Sequence, residues 1–225
     1  MSISASGGGS GSVAPSTNYR KHTTNNPLQR WLIGRFHRQV LRFVETTSVA
    51  TAIEVGCGEG FVLRYLRDHT RLTKIVGVDI DPLAVALARQ AVPGVPVSVA
   101  DAYQLPTPGQ SFDLVLCLEV LEHLESPRAA LEEIRRVGLR HAILSVPNEP
   151  FFRMANLLRG KNVRGRRPSD WGDDPGHRQH WSSASFTRFI GQTLTVRAVV
   201  SSFPWTIILA DMPADMPPAE TPPVV

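Results

Sequence analysis

Cysteine is nearly absent: the 225-residue chain has only Cys57 and Cys117. Two residues so far apart build neither a disulfide framework nor a Cys-x-x-Cys metal clasp, and a reducing cytosol is the expected compartment. No run approaches the roughly 18 uncharged apolar residues that a membrane-spanning helix needs. The stretch after Met1, SISASGGGSGSVAPSTNYR, lacks an apolar block and does not read as a secretory signal. There is no internal repeat. With 42% hydrophobic and 20% charged residues, the composition excludes a mostly disordered chain, a collagen and a coiled coil. The length suits one domain, or one domain with an insertion.

Acidic residues are missing from Tyr19 to Arg42, where Arg20, Lys21, Arg30, Arg35, Arg38 and Arg42 stand. A second basic cluster comprises Arg153, Arg159, Lys161, Arg164, Arg166 and Arg167. Overall the balance is mild, 24 basic residues against 20 acidic ones. Two solvated faces would explain the clusters, and so would a surface for anionic lipid, nucleic acid or an acidic substrate.

Residues 1–18 are Gly/Ser-rich and are expected to be a flexible tail. Asn26-Pro27 has the chemistry of a helix cap followed by a first-turn proline. Trp31, Leu32, Phe36, Val40 and Phe43 then recur at helical spacing, predicting an amphipathic helix over 27–46. Its inner face is expected to close over a ligand site and its basic face to point outward. Strand patterns follow at 50–55, 74–79, 96–100, 112–117 and 141–146, with helices predicted at 59–69, 82–91 and 127–137. Apolar strands alternating with helices build parallel βαβ units with both sheet faces covered.

After Pro147 the periodicity fails. Residues 148–182 are rich in Arg, Gly, Asp, His and Trp, with one helical patch at 150–159, and are expected to be a lid or substrate insertion. A helix at 183–191 and a hairpin of TVRAVVSS and TIILA close the pattern. The domain is thus expected over 19–211, with 212–225 a Pro-rich disordered tail.

The first strand runs into Glu54-Val55-Gly56-Cys57-Gly58-Glu59-Gly60. A glycine-dense turn between strand and helix lets backbone approach a ligand at the carboxyl edge of a parallel sheet. The spacing is Gly-x-Gly-x-Gly, unlike the dinucleotide fingerprint, and no Lys-Ser/Thr pair follows as in a phosphate-binding P-loop. Asp79, nineteen residues beyond Gly60, ends the second strand, where a carboxylate can accept from a ribose diol. Asp101 follows the third strand and can accept from an exocyclic amine. Cys57 and Cys117 read as small packing residues, because nothing beside them supplies a base.

Five stretches, AIEVGCGEGFVL, VGVDIDPLAVALA, VADAYQLP, SFDLVLCLEVLEHL and ILSVPNEP, resemble in order the class I S-adenosylmethionine-dependent methyltransferases. The resemblance is to the ubiquinone/menaquinone-biosynthesis-like, type 11 group. It implies a Rossmann-like, doubly wound seven-stranded sheet with the last strand antiparallel and helices on both faces. It also implies S-adenosylmethionine as cofactor: Gly56, Gly58 and Gly60 around the methionine part, Asp79 on the ribose, Asp101 and Ala102 at the adenine. Glu54 would support the ammonium end.

Glu119, Glu122 and His123 form a second constellation. A helix over 118–124 would put all three on one face, and two carboxylates with an imidazole can chelate a divalent ion. The Glu-x-x-Glu-His run resembles the metal site of small-RNA 2′-O-methyltransferases and of ubiquinone-biosynthesis O-methyltransferases. That resemblance implies His177, four residues before Trp181, as a further ligand. Many enzymes of the broader type carry Glu-His-Leu here without a metal, so both readings stay open. His123, His177 and His180 are the candidate proton acceptors.

The expected reaction is O-methylation of a small molecule, a phenol or hydroxyquinone. The alternatives are an RNA-modifying 2′-O-methyltransferase with a divalent metal, and a non-catalytic methyltransferase-fold partner subunit. Peripheral contact with a membrane is a further expectation from the basic helix.

Overall fold

The structure, a computed structural model, describes residues 22–148 and 178–214. Helix α1 spans Pro27–Thr47. The Asn26 side chain caps it, accepting from the amides of Leu28 and Gln29 at 3.0 and 3.2 Å. This satisfies two of the donors that a helix start leaves open. Strand β1 (Thr51–Val55), α2 (Phe61–His69), β2 (Lys74–Asp79), α3 (Pro82–Ala91), β3 (Val97–Val99) and β4 (Phe112–Leu118) follow. After these come α4 (Pro127–Val137), β5 (Gly138–Pro147), α5 (Ser183–Ile190), β6 (Thr195–Ser202) and β7 (Trp205–Asp211).

The seven strands form one sheet in the order β3-β2-β1-β4-β5-β7-β6. Pairing is parallel from β3 through β5, and β7 runs antiparallel to both β5 and β6. This is the expected Rossmann-like sheet. The period-two alternation of strand side chains sorts the core into two layers. Ala52, Leu114, Leu116, Ile143, Ile207 and Leu209 meet α1, α2 and α3 on one face. Ile53, Val55, Val115, Cys117, Leu144 and Ile208 meet α4 and α5 on the other. Both faces are apolar along every central strand because both carry helices. Among the described residues no helix is long and apolar enough to cross a membrane.

Three elements differ from expectation. Strand β5 begins at Gly138, three residues before the predicted 141, and Gly138 pairs with Phe112 across a register shift. Leu139 and Arg140 are exposed, so no burial pattern announced this extension. The helix expected over 118–124 is only a 3-10 turn, Leu121–His123, because Glu119 takes a left-handed backbone at φ 57°. Met212, the first residue of the tail expected to be disordered, is tied to β5, and 215–225 lie outside the described residues. The Met212 amide donates to Arg140 at 2.8 Å, and its side chain fills the space that a Cβ at Gly138 would need. The tail at 1–18 and the helical patch at 150–159 lie outside the described residues, as does 149–177 of the expected lid.

One polar cluster fastens the base of the sheet. An Asp113 carboxylate oxygen accepts from the amides of Ala50 and Thr51 and from the Thr51 hydroxyl, at 2.9–3.0 Å. The same hydroxyl accepts from the Asp113 amide. Burial alone would raise this carboxyl, but those donors and Arg140 pull it below the ordinary carboxylate range. A carboxyl depressed in the folded state contributes stability that is whole above its unfolded pKa and is lost as pH falls through the folded value. Asp113→Ala should therefore cost about 2 kcal/mol at neutral pH, with the gap from wild type closing in acid. Urea unfolding of both proteins across that pH range measures it.

Candidate active site

Both turns at the carboxyl ends of β1 and β2 are fixed by backbone hydrogen bonds. The amides of Gly56 and Cys57 donate together to the Val78 carbonyl, at 2.8 and 3.0 Å. Such a tight turn needs left-handed backbone, and Gly56, Gly58 and Gly60 supply it at φ 74°, 52° and 80°. The Gly58 amide donates to one Asp79 oxygen at 2.7 Å and the Asp81 amide to the other at 2.9 Å. A carboxylate offers about four acceptor sites, so Asp79 locks both turns and keeps acceptor capacity.

These turns border a cavity of about 590 Å³, a size that suits a small-molecule site. Glu54, Gly56, Gly58, Asp79, Asp101 and Ala102 all line it. Gly60 does not. It caps α2, and a Cβ there would come within 3.2 Å of Ala88 on α3, so its place is in helix packing.

Glu54 is 3% exposed. Burial, reinforced by the nearby Asp79 charge, raises its carboxyl well above the ordinary range, against a stabilising Leu63 amide. Its Oε2 is buried without a hydrogen-bond partner. An orphaned carboxylate oxygen at a cavity wall is a site for a cation or a donor. The whole lining has this character. Glu54, Glu59, Asp79, Asp81, Asp101, Glu119 and Glu122 contribute carboxylates, and among the described residues no Lys or Arg lines the cavity. The residues present thus fit a ligand carrying an ammonium, a sulfonium and a ribose diol.

Asp101 sits on the loop after β3. One of its oxygens accepts from the Tyr103 amide at 2.9 Å, so the residue caps a turn while facing the cavity. The loop is held from behind. Glu133 accepts from the Leu105 amide, and Arg136 donates to the carbonyls of Leu105 and Thr107. Tyr103 reaches across to accept from the Ser126 amide at 3.1 Å. Ile80, 66% exposed and next to Asp79, offers an apolar surface at the cavity rim.

Ile33 and Phe36 of α1, Pro147, and Trp205 at the start of β7 also line the cavity. Thus α1 does wall the cavity. The Trp205 indole packs on Phe36 with ring centres 5.0 Å apart, and its N–H donates to Glu119. Glu119, Glu122 and His123 all line the cavity, but they do not share a helix face. Glu119 precedes the 3-10 turn, Glu122 is 2% exposed and His123 is exposed. Among the described residues no group of three or more His, Cys, Asp or Glu is arranged to hold a metal ion. His177 lies outside the described residues.

His180 is exposed and, unlike His123, does not line the cavity. The Glu122 carbonyl accepts from the amides of Arg178 and Gln179, at 2.7 and 3.0 Å. The returning end of the expected lid is therefore fastened beside the site, and Asn148 at its leaving end follows the lining residue Pro147. The Cys57 and Cys117 thiols are pushed up by burial first and by neighbouring carboxylates second, as inert packing residues would be. Two lining residues, His22 and Trp205, fall in none of the five family-like stretches. Trp205 reads in the sequence only as part of the break between two strands. Its site role follows from β7 inserting beside β5, a contact between distant residues that local pattern does not encode.

Residues 53–145 match the methyltransferase domain family. The chain is 33% identical over 113 residues to the probable S-adenosylmethionine-dependent methyltransferase of Mycobacterium tuberculosis, covering 49% of this chain and 40% of that protein. It is 29% identical over 130 residues to the small RNA 2′-O-methyltransferase of Arabidopsis thaliana, covering 52% of this chain and 14% of that one. To the ubiquinone biosynthesis O-methyltransferase of Pseudomonas paraeruginosa it is 36% identical over 93 residues, 39% of each chain. The chain thus spans well under two thirds of these relatives. The solved PH0226 protein of Pyrococcus horikoshii superposes with a TM-score of 0.67 at 18% identity, covering 87% of this chain and 96% of that one. At that identity the likeness is one of fold.

The glycine turn makes a sharp test. A Cβ at Gly56 would run into the Val120 side chain, in a left-handed backbone that L side chains rarely adopt. Gly56→Ala should destabilise the protein by about 1–3 kcal/mol. Adding Val120→Ala should recover the steric part and leave the conformational part. A double-mutant cycle by thermal unfolding separates them, and additive costs would show that the two residues do not collide.

Proposed function

We propose that this chain, whose central segment carries a class I S-adenosylmethionine-dependent methyltransferase domain, binds S-adenosylmethionine and O-methylates a small molecule, a phenol or hydroxyquinone. The observation that carries the reading is the convergence on one cavity of the glycine turn, Asp79 and the orphaned Glu54 carboxylate. Asp79 would take the ribose hydroxyls with its remaining acceptor sites, Glu54 the ammonium, and Asp101 the adenine amine.

The bound cofactor supplies a methyl group already activated on a sulfonium, so positioning and water exclusion do much of the work. Ile33, Phe36, Pro147 and Trp205 provide apolar lining to the cavity. A hydroxyl acceptor must also lose its proton. His123, exposed at the rim, can take that proton and pass it to solvent. The Trp205 indole fixes Glu119 in the cavity lining, where its carboxylate can orient a hydroxyl. The likeness to the Arabidopsis protein favours a second reading, the 2′-hydroxyl of an RNA. In that reading Glu119, Glu122, His123 and His177 would hold a divalent ion. Turnover of phenols that survives exhaustive chelation supports the first reading; RNA methylation abolished by chelation supports the second. Cofactor binding without turnover of either acceptor class would favour a partner subunit.

Two outcomes test the cofactor site directly. In calorimetry S-adenosylmethionine should bind, and Asp79→Asn should weaken it about 10- to 100-fold, the loss of charge-assisted hydrogen bonds. No heat of binding to folded wild-type protein would overturn the reading. Second, Glu54 must be ionised to hold an ammonium, yet burial first and the Asp79 charge second raise its carboxyl well above the ordinary range. Binding should therefore release a proton, and affinity should rise with pH through the raised value and then level off. Glu54→Gln should flatten that pH dependence.

A further inference from the structure

Leu28, Trp31, Arg35, Arg38 and Arg42 are all exposed. At about 100° per residue they fall within a stripe roughly 80° wide along α1. Leu32, Phe36, Val40, Phe43 and Thr47 are buried on the other side of the helix. Leu28 and Trp31 keep 55% and 53% of their surface in water. The Arg35 guanidinium lies 5.8 Å from the Trp31 ring centre. The helix contains a single acidic residue, Glu45, near its end. Among the described residues no ion pair joins Arg35, Arg38 or Arg42 to a carboxylate.

We propose that this stripe is a docking face for an anionic lipid bilayer. Leu28 and Trp31 would enter the headgroup boundary, where an amphipathic indole is favoured. Arg35, Arg38 and Arg42 would lie on the lipid phosphates, drawn by the negative surface potential. The three arginines span about 10 Å along a straight helix, a line that meets a plane without bending it. Nucleic acid fits the stripe less well. Arg35 stands over the Trp31 ring where a base would stack, and Leu28 gains only from an apolar neighbour. The same helix gives Ile33 and Phe36 to the cavity wall on its inner side, so docking would place the cavity about one helix diameter, roughly 10 Å, from the lipid. The proposal does not depend on the catalytic reading.

The test uses the full chain with vesicles of phosphatidylcholine alone or with about one third phosphatidylglycerol. Sedimentation with the anionic vesicles only, weakening as salt rises, is expected. The combined variant Arg35→Glu, Arg38→Glu, Arg42→Glu should lose about 100-fold in partitioning, some fivefold for each basic residue. Arg→Gln at the same positions gives a milder set, and circular dichroism melting of both sets shows that the fold is kept. Lipid should blue-shift the emission of the wild type, and Trp31→Ala should remove that shift. Failure to sediment with anionic vesicles, or equal partitioning of the charge-reversed variant, would overturn the proposal. Tighter binding to oligouridine RNA than to vesicles, lost in that same variant, would overturn it in favour of a nucleic-acid face.

Discussion

The site depends on a single carbonyl. Val78 at the end of β2 accepts two successive amides, from Gly56 and Cys57, and so forces the chain leaving β1 to bend sharply toward its neighbour. Only backbone with positive φ can make that bend, which is why Gly56 cannot carry a side chain beneath Val120. The next residue of β2, Asp79, then receives the Gly58 amide. Two parallel strands are thereby joined at their carboxyl ends by an acceptor pair one residue apart. The rim that results has backbone, carboxylate and open space together, which the centre of a sheet never offers.

Carboxylates in this protein divide by task. Those that hold the scaffold are surrounded by donors and are easily ionised. Asp113 gathers Ala50 and Thr51, and Glu133 gathers Leu105 and Arg136. In both, burial raises the carboxyl but donors lower it by more. Glu54 has the opposite balance, with burial and a like charge outweighing one amide. A group held in that state is costly to the empty fold and is relieved by a cation, so the cost is spent where binding recovers it. The cavity gathers carboxylates in a chain whose net charge is +4, and the positive charge of α1 faces away from it.

Helix α1 has three environments. Val40, Phe43 and Val44 seal one face of the sheet, Ile33 and Phe36 wall the cavity, and the arginines stand in solvent. It also meets α2 through rings: His37 lies 4.9 Å from Tyr65, and His22, just ahead of the helix, stacks on Phe61 at 4.3 Å. A segment that is early in the chain is thus packed against the centre of the fold. A change on its inner face reaches the cavity, while one on its outer face leaves the core untouched.

Much of this was legible in the sequence because the information is local. Short apolar runs in ATAIEV and FDLVLC mark buried strands, Asn26-Pro27 marks a helix start, and three glycines in five residues mark a turn that must take positive φ. Those patterns set the number and order of elements, and Asp79 lies at a predictable strand end. What they could not give was a matter of distance in the chain. The sharing of Val78 between two turns, the burial that lifts Glu54, the positive φ that stops a helix at Glu119 and the entry of Trp205 beside Phe36 all join residues remote in sequence. Periodicity registers whether a side chain is inside, and it is blind to which partner waits there. Only the tertiary structure, with left-handed backbone at Glu119, decided that Glu119, Glu122 and His123 share a cavity without sharing a helix face.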